Sequence, residues 1–461
     1  MSWLAEYLPL VFSTLFFASI GASIGSLINV LVYRIPRGEG VVTPPSKCPH
    51  CGTRLTWREN IPVFGWLLLR GKCRFCKSPI SPRYPLVEAF VGLLFGAVYF
   101  VWFGLDASGA LGGSGAWSPE WAENGLFTAW PIFVVFLLLL ASLVAMTLID
   151  AETFTIPLIL AWIPAVAAVV ILPGHALIWT LQHGALSELA PGLWLGENDG
   201  WRWRSASGWI WSLPTPALRD WGWIGASCGG VVGLGVSAVL VRAGVLRQSF
   251  ADYAQWEAEA LQAKGDTKSD GVTPDASGAE LWVQYPYARR EMVKEMAFLA
   301  APSALAWLGW WAFEAWAMGA ADPIVDPRTG FVFAGVAAPA WLVVLSGVLW
   351  GYLIGGVVVW AVRIFGSLLF GKEAMGIGDV HLMAAVGACV GWIDATIAFF
   401  LSPFFALSWV LAGIVLKGKL KRAMPLGPAL AAGTFVVILG KPVLEAGLTL
   451  LFGSTTGVDL P

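Results

Sequence analysis

Long apolar runs separated by shorter polar segments extend along the chain from residue 9 to residue 451. A helix needs about 20 mainly apolar residues to cross a bilayer, and windows of that kind recur throughout. Pro302, Pro339 and Pro403 could interrupt helices and segment 380–393 is short, so the expected number of spans is about ten, give or take about two. Their expected positions are about 8–32, 86–104, 131–149, 156–172, 222–243, 297–320, 338–362, 380–393, 395–416 and 426–447.

The basic residues indicate which loops face the cytoplasm. Arg34 and Arg37 follow the first apolar run, the reverse of a signal peptide, so this run is expected to remain as a helix with its N-terminus outside. Lys and Arg also concentrate in the polar segments 34–85 and 244–295, whereas 105–130 contains neither. The first two segments are therefore predicted to be cytoplasmic, and the third external.

Composition agrees with a membrane protein. Hydrophobic residues make up 57% of the chain, charged residues 13%, and the mean hydropathy is +0.71. The predicted fold class is an all-α polytopic membrane protein with a small cytoplasmic module. The net charge of -2 carries little information, and nothing indicates a nucleic-acid partner.

Four cysteines form two tight pairs within the first cytoplasmic segment. The first pair is Cys48 and Cys51, and the second pair is Cys73 and Cys76. The two pairs are separated by 21 residues. Two such pairs can supply four thiolates to one tetrahedral Zn²⁺, and a complete set of protein ligands favours a structural role. A redox dithiol is the alternative. His50 is not expected to be a ligand, because the cysteine set is already complete.

Basic residues surround these cysteines in sequence. They can offset the negative charge of a zinc–thiolate centre, or contact anionic headgroups at the inner leaflet. The remaining two cysteines lie in apolar runs and are expected to serve packing. The basic residues are Arg54, Arg70, Lys72, Arg74 and Lys77, and the two other cysteines are Cys228 and Cys389.

Two aspartates stand at the edges of apolar runs. Asp150 ends such a run in SLVAMTLIDAETFTIPL, and Asp379 begins another in GKEAMGIGDVHLM, where Gly376 and Gly378 allow close backbone approach or unusual dihedral angles. Ionisable side chains at membrane depth are costly and point to function. Two facing carboxyl groups that share one proton can hydrolyse a peptide bond.

Other interpretations of these carboxylates stay open from the residues alone. Asp is common at helix N-termini, so both aspartates could be helix caps at the inner interface. Glu152 and Glu373 offer the same chemistry, although neither has the glycine setting of Asp379.

At this point the motifs resemble those of the bifunctional prepilin leader peptidases with N-methyltransferase activity. These are membrane aspartic peptidases that process type IV pilins and type II secretion pseudopilins. The resemblance covers about 20–100, 130–172 and 340–450. It is carried by GSLINVLVYRIPRG, the four cysteines, WRENIPVFGWLLLRGKCRFC, ISPRYPLVEA, LIDAETFTIP and GKEAMGIGD.

The resemblance implies an enzyme of the cell inner membrane with its active site facing the cytoplasm. It places the catalytic roles on Asp150 and Asp379 and the zinc role on the four cysteines. The substrate would be a prepilin or pseudopilin whose basic leader stays in the cytoplasm while its apolar helix lies in the bilayer. Cleavage would follow a Gly, and S-adenosylmethionine would methylate the new N-terminus. No binding residues for that cofactor, and no oligomeric state, are predicted.

Two features depart from the family pattern. Leu158 stands where the family often has an acidic residue, and about 165 residues between the two aspartate motifs have no counterpart in the compact pattern. These residues are expected to add two helices, a Trp-rich external loop and a charged internal loop to about eight family helices. The predicted division is 1–33 first transmembrane helix, 34–85 four-cysteine module, 86–172 first part of the peptidase domain, 173–338 insertion, 339–451 second part of the peptidase domain and 452–461 tail.

The residues also allow two rival functions. A presenilin-like intramembrane aspartic protease also carries Gly-x-Gly-Asp, but the zinc module with ENIP and RYPLVE argues against it. The second rival is a transporter or scaffold that uses Asp150 and Asp379 to relay protons. Asn substitution of either aspartate distinguishes the second rival from a leader peptidase. It should abolish leader removal by a peptidase, whereas in a transporter it should abolish transport and leave leader processing unchanged.

Overall fold

The computed structural model describes most of the chain. The described residues are 2–104, 117–122, 125–183, 194–196, 200–202, 213–216, 219–252, 255–256, 259, 287–325, 332–371, 373–417, 425–452 and 458–459. Of the tryptophans in the predicted external loop, Trp194 and Trp201 lie in short strands, whereas Trp203, Trp209 and Trp211 lie outside the described residues. Seven charged residues of the predicted loops also lie outside the described residues: Asp106, Glu123, Lys264, Lys268, Lys419, Lys421 and Arg422.

Helices dominate the described residues. They are α1 Ser2–Arg34, α2 Phe64–Leu68, α3 Arg83–Tyr99, α4 Leu126–Thr153, α5 Leu158–His183, α6 Trp221–Arg242, α7 Ala288–Ala320, α8 Ala340–Phe370, α9 Ile377–Val390, α10 Trp392–Lys417, α11 Gly427–Leu439 and α12 Lys441–Phe452. Short 3₁₀ turns occur at Ile35–Arg37 and Glu120–Ala122, and a π-helical turn, Phe100–Gly104, continues α3.

Strands are few and short. β1 Trp194–Gly196 pairs antiparallel with β2 Gly200–Arg202, which pairs parallel with β5 Val458–Asp459. β3 Ile324–Val325 and β4 Val332–Phe333 form a separate antiparallel pair.

Eight helices in the described part of the chain are long and apolar enough to cross a membrane. This confirms the predicted polytopic all-α fold class. Two of the ten expected spans have a different form. Segment 380–393 lies mostly in α9, whose 14 residues give about 21 Å, less than the roughly 30 Å of a hydrocarbon core. Segment 426–447 is α11 and α12, joined at an angle of 89°.

Several boundaries also differ from expectation. α5 continues to His183 with Pro173 inside it, so the external segment starts later than residue 173. α7 begins at Ala288 rather than near 297. Pro302 and Pro403 lie inside continuous helices, and only Pro339 marks a helix boundary. Proline is tolerated within membrane helices when neighbouring groups satisfy the freed carbonyl.

The protein core is built around α4. Its Leu139, Leu140, Leu143, Met146 and Ile149 are fully buried. α1, α5, α9 and α11 pack against it, so α4 is a central helix. α8 packs against α5, α9 and the α6/α7 pair.

Small residues allow the helices around the site to approach closely. A Cβ atom on Gly351 of α8 would lie 1.9 Å from the carbonyl oxygen of Gly387 in α9. No side chain fits there, so the two helices touch backbone to backbone, a packing mode common in membranes. This contact fixes α9, the helix that carries Asp379, against α8.

Candidate functional site

Asp150 and Asp379 come together where several helices begin or end. Asp150 lies in the last turn of α4, and Asp379 lies in the first turn of α9. Their residues are 5% and 8% exposed, so both carboxyl groups are buried. They are close enough for their charges to interact. Two residues 229 positions apart in sequence therefore share one environment.

Asp150 is held by the start of another helix. Its Oδ2 accepts a hydrogen bond of 2.9 Å from the backbone N–H of Gly427, the first residue of α11. The first N–H groups of a helix have no partner within it, and their partial positive charge favours a carboxylate. A Cβ atom at Gly427 would lie 2.6 Å from that oxygen, so only glycine permits this contact.

Asp379 is held by its own loop. Its Oδ2 accepts a hydrogen bond of 3.2 Å from the backbone N–H of Gly376, the N-cap of α9. A Cβ atom on Gly378 would lie 2.9 Å from Cβ of Ile156, in the link between α4 and α5. The predicted close approach thus occurs at Gly378, while the alternative of unusual dihedral angles is wrong, since neither glycine has positive φ.

Only one of the two aspartates fits the interpretation that both are helix caps. Asp379 caps the helix that carries it. Asp150 lies at the C-terminal end of α4, where a negative charge is unfavourable to the helix dipole, and it contacts the start of α11 instead. Both carboxyl groups therefore accept from helix N-terminal N–H groups, an arrangement that can stabilise ionised oxygen at a buried position.

Arg363 is a site residue that sequence reasoning missed. It lies in α8, is 2% exposed, and donates through Nη1 to the carboxylate of Glu373 and to the carbonyl oxygen of Met375. Its charge also acts on Asp379. The available signal was a single charged residue within the apolar run of α8, which by itself indicates function but not a partner. For Gly427 the signal was a Gly-Pro pair at the start of a span.

The two alternative carboxylates are engaged in ion pairs. Glu373 pairs with Arg363. Glu152 pairs with Arg83 at the start of α3, and both of these side chains are more than 40% exposed. Neither glutamate shares the buried setting of the two aspartates.

The four cysteines form one cluster. All four sulfur atoms lie within 4.8 Å of one another, with Cys48 Sγ 3.8 Å from Cys76 Sγ and Cys51 Sγ 4.0 Å from Cys73 Sγ. Four ligands bonded to Zn²⁺ at about 2.3 Å in a tetrahedron lie about 3.8 Å apart. The cluster therefore has the dimensions to hold a metal ion. His50 is exposed and lies outside it.

Hydrogen bonds favour the thiolate form of two of these cysteines. Hydrogen bonds from Thr53 lower the pKa of Cys51 to about 6. The N–H groups of Cys76 and then Phe75 lower the pKa of Cys73. A lower pKa favours the thiolate, which is the form that binds metal.

The two cysteine loops have matching backbones. Cys48 N–H donates to Thr53 O at 2.9 Å, and Cys73 N–H donates to Ser78 O at 2.8 Å. The residue after each second cysteine, Gly52 or Lys77, has positive φ. The basic residues near the cluster are all exposed, and Arg74 pairs with Glu59 at 4.0 Å. Their suggested contact with lipid headgroups stays a prediction.

The module is tied to the membrane helices. The carboxylate of Glu88 in α3 accepts a hydrogen bond of 2.6 Å from the N–H of Val63, beside α2. Asn29 of α1 donates to the carbonyl oxygen of Tyr84 at 3.1 Å. The cysteine cluster thus belongs to the same end of the bundle as the two aspartates, where Arg83 meets Glu152.

The chain has relatives among known proteins. Residues 19–102 match the family model of the bacterial peptidase A24 N-terminal domain. The chain is similar to prepilin leader peptidases/N-methyltransferases of three bacteria. For Myxococcus xanthus the identity is 48% over 94 residues, which cover 20% of this chain and 28% of that protein. No solved structure matches the chain.

The other two alignments cover most of the relative. The protein of Klebsiella pneumoniae is 32% identical over 223 residues, which cover 42% of this chain and 88% of that protein. The protein of Dickeya chrysanthemi is 31% identical over 224 residues, which cover 38% and 72%. Since these alignments extend over more than two thirds of both relatives, the chain belongs to the family of prepilin leader peptidases/N-methyltransferases.

Proposed function

We propose that this chain is a membrane aspartic endopeptidase that removes the leader peptide of a prepilin or pseudopilin at the cytoplasmic face of the inner membrane. The observation that carries the proposal is the meeting of two buried carboxyl groups from α4 and α9, whose charges interact. Such a pair shares one proton near neutral pH, because two like charges at close range do not both ionise.

The chemistry follows from that shared proton. The ionised carboxyl group takes a proton from a water molecule, whose oxygen attacks the scissile carbonyl carbon. The protonated partner donates a hydrogen bond to the carbonyl oxygen. The tetrahedral intermediate then collapses, the C–N bond breaks, and the leaving amine takes up the proton that the first carboxyl group accepted from water. The N–H groups of Gly427 and Gly376 hold Oδ2 of Asp150 and Asp379, so each carboxyl group keeps its orientation during the reaction.

The substrate class fits the position of the pair. The relatives named above are leader peptidases for prepilins. A prepilin places a basic leader beside an apolar helix, so its scissile bond lies at the membrane edge. Asp150 and Asp379 stand at the ends of helices, on the same side as the basic four-cysteine module. This placement supports cleavage at the inner face.

Two further parts of the proposal concern the module and methyl transfer. The four cysteines would hold one structural Zn²⁺, with all four positions taken by protein thiolates. The names of the relatives include N-methyltransferase. S-adenosylmethionine would supply the methyl group, and the new N-terminus of the cleaved substrate would receive it.

Co-expression with a candidate prepilin of the same genome tests the proposal. The N-terminus of the product is determined by mass spectrometry. A product that lacks the leader supports the peptidase, and a mass increase of one methyl group supports the second activity. Leaders that stay intact on every candidate prepilin would contradict the peptidase. A cleaved, unmethylated product would contradict methyl transfer alone.

Gly427→Ala should reduce leader removal by about 10- to 100-fold, because a displacement of about 1 Å in a catalytic group has an effect of that size. The added Cβ atom would lie 2.6 Å from Asp150 Oδ2, and the movable carboxyl group gives way rather than the backbone. The cleavage rate in detergent is measured together with the melting temperature. The melting temperature is expected to change little.

Gly413→Ala provides the matched control. Gly413 lies in α10, and a Cβ atom there would meet nothing within 4 Å. This variant should cleave at the wild-type rate. Equal rates in the Gly427 and Gly413 variants would show that Asp150 does not depend on the start of α11.

A further inference from the structure

The predicted insertion reaches the site through one buried ion pair. We propose that Glu295, near the start of α7, is a positioning residue that holds Arg363 and, through it, the loop that presents Asp379. This inference rests on the proposed peptidase function. It gives the predicted insertion 173–338 a role in the site.

Glu295 has every feature of a fixed carboxylate. It is 3% exposed. Its Oε1 lies 3.0 Å from Nε and 2.9 Å from Nη2 of Arg363, and its Oε2 accepts a hydrogen bond of 2.8 Å from Trp360 Nε1. Two edges of the carboxylate are thus bound to α8. Paired contacts of this kind restrict the guanidinium in both position and orientation.

The remaining edge of Arg363 points to the Asp379 loop. Nη1 donates to Glu373 and to the carbonyl oxygen of Met375, and Met375 lies four residues before Asp379. The guanidinium is planar and rigid, so fixing one edge fixes the other. Glu295 therefore determines where the N-terminal end of the loop is held. A second anchor comes from Ser367 Oγ, which accepts from Ala374 N–H at 3.0 Å.

The segment that follows α6 contributes to the same contact. The ring of Phe250 lies 5.2 Å from the guanidinium carbon of Arg363, and Phe250 N–H donates to Glu291 of α7 at 2.7 Å. Arg289 Nε of α7 also donates to the carbonyl oxygen of Leu368 at 3.0 Å. α7 and the segment after α6 thus both contact Arg363.

Removal of the negative partner should disturb the loop more than the helices. Without Glu295, Arg363 would be a buried charge paired only with Glu373, whose side chain is 36% exposed. An incompletely paired buried charge attracts water or moves toward other acceptors. The charge of Arg363 also acts on Asp379. The expected consequence is a mobile Met375–Gly376 segment and a misplaced Asp379 carboxyl group.

Glu295→Gln is compared with Glu314→Gln. Glu314 lies on the same helix, but its carboxylate accepts from Gly222 N–H of α6 and is far from the loop. Glu295→Gln should lower kcat by about 10-fold or more with KM changed by less than about twofold, because the loop positions a reacting group and not the substrate. Glu295→Asp should restore part of the loss. The Glu314 variant should behave as wild type.

Hydrogen exchange of peptides covering 371–379 gives a readout that needs no catalysis. Glu295→Gln should speed exchange there and leave α10 unchanged. If the wild-type chain cleaves no prepilin, the proposed function fails, and the exchange result alone decides the positioning role. The inference is wrong if Glu295→Gln leaves both the exchange of 371–379 and kcat at their wild-type values. A change confined to KM, or an equal loss in the Glu314 variant, would also contradict it.

If Glu295→Gln fails to fold, Trp360→Phe is measured in its place. This change removes one hydrogen bond to Glu295 and keeps the ion pair. A smaller effect in the same direction is expected for kcat and for exchange of 371–379. Wild-type values of both would overturn the inference.

Discussion

Asp150→Asn and Asp379→Asn are each expected to reduce leader removal by at least about 10³-fold. Proton transfer by a positioned side chain contributes roughly 10² to 10⁴, and an amide can neither accept the proton of water nor share a proton with its neighbour. The amide oxygen can still accept the N–H of Gly427 or Gly376, so folding should persist. Single-turnover cleavage of a purified prepilin, followed by mass spectrometry, measures the effect.

The double variant and a nearby glutamate provide the controls. Two residues that act as one unit should lose no more activity together than either does alone. Glu152→Gln removes an exposed carboxylate two residues after Asp150 that pairs with Arg83, and it should change the rate by less than about twofold, since exposed ion pairs contribute little. Substantial cleavage by either Asn variant would remove that aspartate from the mechanism. Loss of transport with intact processing would favour the proton relay.

The sequence predicted those features that depend on local pattern. Apolar runs of about 20 residues gave the long helices, because a bilayer imposes that length on any span. The spacing of the cysteine pairs predicted the cluster, because each Cys-x-x-Cys turn brings two thiols to one point. The two aspartates were identified from their position at the edges of apolar runs and from motifs that resemble one family.

The features that the sequence did not predict depend on which helices are neighbours. The N–H of Gly427 is significant only because α11 begins beside the end of α4. Arg363 was visible as a lone charge in an apolar helix, but its partners lie 68 residues before it and 10 to 12 residues after it. No periodicity encodes such contacts. The 89° bend between α11 and α12 likewise occurs at Gly440, inside a run that reads as one span.

The short length of α9 relates the fold to the proposed chemistry. At about 21 Å this helix is shorter than a hydrocarbon core of roughly 30 Å, so it does not cross a bilayer alone. Discontinuous membrane helices commonly present their N-terminal N–H groups to a charged group. Asp379 occupies the first turn of α9, and Asp150 receives the first N–H of α11. Two helix starts thus provide polar contacts to the two buried carboxyl groups.

Removal of the metal is expected to unfold the four-cysteine module while the membrane helices stay intact. Between Ile35 and Tyr84, every residue of which the structure describes, only Cys48, Gly65, Gly71 and Cys73 are buried. A module without an apolar core relies on metal or covalent links, and structural Zn²⁺ contributes about 10–16 kcal/mol of apparent binding free energy in small zinc-finger peptides. Chelation or Cys73→Ser should therefore release one Zn²⁺ per chain.

Trypsin reports the loss of structure, because the module carries many exposed basic residues. Rapid cleavage within 54–77 is expected after metal removal, with slow cleavage in the metal-bound protein. The exposed sites are Arg54, Arg58, Arg70, Lys72, Arg74 and Lys77. Cys228→Ser changes a cysteine of α6 far from the cluster and should retain both metal content and protease resistance. Unchanged zinc content in Cys73→Ser, or a metal-free module that resists trypsin, would mean that these thiols do not hold the fold of the module together.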